Sequence, residues 1–163
     1  MVDDFRAFDV IIEDERWAIE LGDAERLARA CARAAAAIEP RADGGAALLF
    51  SDDETLRDLN RRFRGKDKPT NVLSFPSGAP AGAFLGDIAI AFETCRAEAA
   101  EQGIAFRDHA AHLIVHGLLH LVGYDHEEDE AANVMERLET QILATLGVLD
   151  PYADRDKRRE EPR

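Results

Sequence analysis

The sequence predicts a single layered α/β (α+β) domain, with a mixed sheet of about four strands and about five helices. Three observations lead there. Short apolar runs of strand length alternate with longer helical patterns. No internal repeat and no linker-like stretch divides the chain. A length of 163 residues with 46% hydrophobic content is enough for one core. The domain is expected to span residues 1–152. Residues 153–163 are expected to be a disordered charged tail, because Asp154 to Arg163 has almost no apolar content.

Val10-Ile11-Ile12 reads as a short strand. Asp23 to Ile38 is rich in Ala, Leu, Arg and Glu and reads as a helix capped by Asp23. Its Leu27, Cys31, Ala34, Ala35 and Ile38 fall on one face, which should be buried. A turn over 41–45 leads into a strand from Ala46 to Phe50. Ser51-Asp52-Asp53-Glu54 has the form of a capping box, in which Ser51 caps the next helix and Glu54 reaches back. That helix runs to about Phe63, with Leu56, Leu59 and Phe63 on one face. Arg64 to Thr70 reads as a polar loop, and Val72 to Phe75 as a strand ended by Pro76. Ser77 to Gly82 is a Gly/Pro/Ala-rich loop expected to be mobile, and Gly86 to Ala91 is another strand. Three helices follow. They are Thr94 to Gln102, ended by Gly103; Arg107 to Val122, stopped by Gly123; and Asp129 to Leu146, capped by Asp129 and closed by Gly147.

The formal net charge of -13 favours solubility and repels polyanions at long range. Taken alone it counts against nucleic-acid binding, but a local basic patch can overrule a total. Cys31 and Cys95 lie far apart in helical patterns, where a free cysteine acts as a small hydrophobe. The acidic N-terminus lacks the apolar stretch of a signal peptide. No apolar run reaches the ~18 residues a membrane span needs. A cytoplasmic protein without membrane contact is the expectation.

The sharpest motif runs from His116 through His120 to His126. Residues at i and i+4 share a helix face, so His116 and His120 can reach one metal ion. Gly123 can end the helix and turn the chain, letting His126 return as a third ligand. Three neutral imidazoles leave a fourth position open, the pattern of a catalytic zinc site. The helix is apolar nearly all round, so unpartnered histidines in it would be costly. One zinc ion per chain, at the end of a central helix, is the reading.

The spacing HxxxHxxGxxH also occurs in zinc proteases that carry a glutamate after the first histidine. Here that place is Gly117, so the general base of peptide hydrolysis is missing. His109 and His112 extend the stripe, either as ordinary core or supporting residues or as a fourth ligand. Among Asp125, Glu127, Glu128 and Asp129, one carboxylate could orient a metal-bound histidine.

Between Arg57 and Lys68 the chain carries Arg57, Arg61, Arg62, Arg64, Lys66 and Lys68 against Asp58 and Asp67. The window is +4 while the remainder is -17, an asymmetry that suits a phosphate-binding patch or, alternatively, a solvated helix end.

The segment Phe63-Arg64-Gly65-Lys66-Asp67-Lys68-Pro69-Thr70-Asn71-Val72-Leu73-Ser74-Phe75-Pro76 resembles the signature of the YbeY family, bacterial endoribonucleases and rRNA maturation factors. His116 to His126 matches that family's second signature, and Leu85-Gly86-Asp87-Ile88 is similar to a third segment. The resemblance covers about Ser51 to Tyr152. It implies an α/β fold, zinc held by His116, His120 and His126, and single-strand-specific cleavage of RNA. It further implies a role in 16S rRNA 3′-end maturation and ribosome quality control, with single-stranded RNA, rRNA and small ribosomal subunit components as partners. Arg64 aligns with an important arginine of the family, while Asn71 stands where many members have Asp. Arg64 and His116 are therefore the catalytic candidates, and Arg61, Arg62, Arg64, Lys66 and Lys68 the candidates for RNA or phosphate contact. No general base stands in the motif, and whether water or a ribose 2′-OH attacks is left open. Two other readings are an assembly factor that docks on the ribosome around a structural zinc, and a metal-dependent hydrolase of a different substrate.

Overall fold

The computed structural model describes residues 8–80 and 83–153. The expected tail from Asp154 onward, and the end of the loop expected to be mobile, lie outside the described residues. The elements are β1 (Asp9–Ile12), α1 (Arg16–Leu21), α2 (Ala24–Ile38), β2 (Ala46–Ser51), α3 (Asp53–Arg64), β3 (Val72–Pro76), β4 (Gly86–Ala91), α4 (Phe92–Gln102), α5 (Phe106–Leu121) and α6 (Asp129–Thr145). A 3-10 turn covers Pro40–Ala42.

The sheet is mixed, in the order β1-β2-β4-β3. β1, β2 and β4 run parallel, and β3 is an antiparallel edge strand on β4. Side chains alternate across it. Leu48, Phe50, Ile88 and Ile90 join the main core with α5, while Leu73, Ala89 and Ala91 pack with Leu56 of α3 on the other side. α5 is the central helix. Its Ile114, Val115, Leu118 and Leu119 are almost fully buried, each side chain worth about 1.5–3 kcal/mol of transfer energy.

The close approach of α5 to the sheet explains Gly117. A Cβ there would lie 2.9 Å from Ile88 Cγ2 and 3.2 Å from Ser74 Oγ. The Ser74 hydroxyl donates to the Gly117 carbonyl at 3.1 Å, pinning helix to edge strand. Any side chain at Gly117 would collide with β3 and β4, so the position excludes a glutamate by packing as well as by identity.

Several boundaries differ from expectation. α1 was not expected: six residues are too few for a periodic signal, and it is held by buried Trp17, whose Nε1 donates to the Ser51 carbonyl at 2.8 Å. Ser51 does not cap α3. It completes β2, donating its hydroxyl to Glu13 at 2.6 Å, and Asp52 is the cap, accepting from the Thr55 N–H at 2.8 Å. α4 starts at Phe92, ahead of Thr94, because Asp53 accepts from the Thr94 N–H at 3.0 Å inside the first turn. Asp129 is likewise inside α6, where its charge suits the helix start; the cap position is Glu128. Arg64 is the last residue of α3, and Gly65, with φ +67°, ends the helix.

Candidate metal centre and the cleft beside it

The C-terminal turns of α5 carry His116 and His120, with their Nε2 atoms 3.1 Å apart. Gly123 has φ +101°, and the Tyr124 N–H closes the helix on the Leu119 carbonyl at 3.0 Å. Asp125 then accepts from the backbone N–H of His126 at 2.6 Å and of Glu127 at 3.1 Å, tightening the turn. The His126 ring thereby returns to 5.4 Å from that of His116 and 5.1 Å from that of His120. A donor nitrogen from each of the three lies within 4.8 Å of the others.

This donor set fits a metal ion. Two nitrogens bound at about 2.0–2.1 Å to a tetrahedral ion stand about 3.3 Å apart, close to the spacing between His116 and His120. Burial first, and then the neighbouring His116 and His126 rings, push His120 down to about 4, so it is neutral near pH 7 with a lone pair to offer. The turn that presents His126 is anchored from the far half of the chain. The Tyr124 hydroxyl donates to Glu39, and the Arg41 guanidinium lies 5.0 Å over the Tyr124 ring. Hydrogen bonds from Arg41 and then Tyr124 hold Glu39 down at about 2.

Asp125 and Glu127 line the same space as the trio, but the carboxylate bonded to one of its ring nitrogens is another. It is Glu139, from the buried face of α6, which accepts from His116 Nδ1 at 3.1 Å and from His112 Nε2 at 2.8 Å. Burial would raise its pKa, but the hydrogen bonds from His112 and His116 outweigh that and hold it at about 2. Tyr152 donates to the other Glu139 oxygen at 2.8 Å. His112 is thus a partner of Glu139, not a fourth member of the trio. His109 is further off, at 2.8 Å from Glu98, which also accepts from Asn71 at 3.0 Å.

A cleft of about 610 Å³ opens over His116, His120 and His126, and Arg64, Lys66, Lys68 and Asn71 line it as well. Edge strand β3 lies between the two sets. Arg64 Nη2 donates to the Ser74 carbonyl at 2.8 Å, on the strand whose Ser74 hydroxyl holds α5. Buried Asn60 donates to the Lys68 carbonyl at 3.0 Å and sets the course of the basic turn. Arg61 and Arg62 do not line the cleft; both pair with Asp58, at 2.6 and 3.2 Å.

Sequence reasoning missed Glu139, Tyr152 and Asn60. Glu139 left a trace: Met135, Glu139, Ile142 and Leu143 form one buried stripe, so a carboxylate interrupts the apolar face of α6. Asn60 left a weaker one, a polar residue one position after Leu59 on a helix that buries Leu56.

A family model described as Endoribonuclease YbeY matches residues 10–147, extending upstream of the stretch that carried the sequence resemblance. A curated Endoribonuclease YbeY of Rhodopseudomonas palustris is 49% identical over 156 residues, covering 91% of this chain and 82% of that protein. One from Maricaulis maris is 45% identical, covering 92% of this chain and 94% of that protein. The solution structure of TM1509 from Thermotoga maritima shares the fold, with a TM-score of 0.53 at 21% identity over 94% of this chain and 96% of that one.

Proposed function

The chain belongs to the YbeY endoribonuclease family, and from that premise we propose that it cleaves single-stranded RNA phosphodiesters in a zinc-dependent manner. We assign it to 16S rRNA 3′-end maturation and ribosome quality control in the cytoplasm, acting on components of the small ribosomal subunit. The observation that carries this reading is one cleft lined both by three histidines and by Arg64, Lys66 and Lys68.

Each group has a distinct task. His116, His120 and His126 would hold the ion, and a bound zinc ion would supply Lewis acidity toward a phosphoryl oxygen or water. Arg64 keeps one N–H on the Ser74 carbonyl and has further donors in the same plane for phosphoryl oxygens. Lys66 and Lys68 neutralise the flanking backbone. Arg61 and Arg62, already paired with Asp58, contribute less, as contacts to RNA outside the cleft. The acidic total opposes approach at long range, but the cleft itself carries Arg64, Lys66 and Lys68 against Asp125 and Glu127, a local charge opposite in sign to the total.

The test is cleavage of matched single-stranded and structured RNAs by wild type and His116→Ala, with zinc measured in both. The proposal expects the wild type to hold one zinc and cut the single strand, and the folded variant to lose both properties. A folded, zinc-free His116→Ala that still cut RNA would refute the metal-dependent reading.

A further inference from the structure

Glu139 is 1% exposed and yet bears a carboxylate, a costly group to bury without partners. Both oxygens are taken. Oε2 accepts from His116 Nδ1 at 3.1 Å and His112 Nε2 at 2.8 Å, and Oε1 accepts from the Tyr152 hydroxyl at 2.8 Å. Tyr152 comes from the segment after α6. That segment is bent back by Asp150, whose Oδ1 accepts from the Tyr152 N–H at 2.8 Å and the Thr140 hydroxyl at 3.3 Å. The Tyr152 ring stands 5.5 Å from the His112 ring, and its oxygen is 3.2 Å from His112 Nε2. The carboxylate is therefore fixed from three sides, and one of them is a metal-ligand candidate.

We propose that Glu139, locked by His112 and the Tyr152 strap, is a positioning residue that fixes the tautomer and ring orientation of His116. With Nδ1–H given to Glu139, the Nε2 lone pair faces His120 Nε2, 3.1 Å away, where the ion would sit. A carboxylate on the far nitrogen also makes an imidazole a better metal donor. The segment after α6, through Asp150 and Tyr152, thus acts on the metal centre without touching it. The inference rests on the metal-site reading and needs no part of the RNA reading.

The experiment compares wild type, Glu139→Gln and Tyr152→Phe for fold by circular dichroism, zinc affinity by chelator competition, and the His116 tautomer by 15N NMR of the metal-free protein. Glu139→Gln is expected to lower zinc affinity about 10–100-fold and to mix the two His116 tautomers. Tyr152→Phe is expected to lower zinc affinity measurably but by less than Glu139→Gln, with the fold unchanged. Wild-type zinc affinity and an unmixed Nδ1–H tautomer in folded Glu139→Gln would overturn the proposal. If Glu139→Gln fails to fold, Tyr152→Phe decides, and unchanged zinc affinity in it overturns the proposal. No RNA enters these measurements, so a wild type that never cut RNA would remove the proposed activity and leave this result standing.

Discussion

His116 and His120 rise from α5, a helix whose other faces are buried, whereas Lys66 and Lys68 project from an exposed turn after α3. The first wall is held by packing: Gly117 seats α5 on β3 and β4, and Glu139 grips His116 from behind. The second is held by a few polar bonds, from Asn60 to the Lys68 carbonyl and from Arg64 to the Ser74 carbonyl. A metal site needs fixed donors at short range, since bond lengths tolerate only tenths of an ångström. A phosphate backbone is met by long-range charge, which tolerates mobile side chains. The difference in support matches what the proposed ligands, a metal ion on one wall and an RNA backbone on the other, would demand.

Substitutions can separate the walls. His120→Ala removes a proposed ligand and should abolish zinc binding, read as zinc per chain after gel filtration, while RNA affinity at low salt falls far less. Gly117→Ala should strain the first wall by about 1–3 kcal/mol, the usual cost of overpacking, lowering the thermal midpoint without touching the basic turn. Lys66→Ala and Lys68→Ala should leave zinc content unchanged and each flatten the salt dependence of RNA binding by about one unit of slope. Arg61→Ala and Arg62→Ala, outside the cleft, should change that slope less.

The smallest effect concerns the anchor of the His126 turn. Glu39 ionises at about 2 in the folded protein against an ordinary 4.5, so its contribution to stability is full above about 4.5 and lost as pH falls toward 2. Thermal midpoints of wild type and Glu39→Gln should therefore converge on acidification. Parallel midpoints from pH 6 to pH 3 would show that the Glu39 contacts with Tyr124 and Arg41 do not stabilise the fold.

Much of this was legible in the sequence, for physical reasons. The three histidines and Gly123 lie within one short window, so helix periodicity and one turn sufficed to bring them together. The basic turn was visible as a local excess of charge, but which cations enter the cleft was not. Arg61 and Arg62 are separated from Arg64 by their pairing with Asp58, a matter of helix face. Glu139 was hidden because its contact with His116 joins two helices far apart in sequence, and nearer acids at Asp125 and Glu127 competed for the same role. The packing role of Gly117 was equally hidden, since it depends on Ile88 and Ser74 across the sheet. Sequence periodicity reports what a helix presents, and only the assembled layers report what meets it.

The central claim is that one cleft joins a metal wall to a phosphate-binding wall through Arg64. The most direct measurement is the single-turnover rate of single-strand RNA cleavage by Arg64→Ala beside its zinc content. The account predicts a loss of about 10²–10³ in rate, the usual cost of removing one charge-stabilising donor, with one zinc per chain retained. Cleavage at the wild-type rate, or zinc lost together with activity, would contradict it.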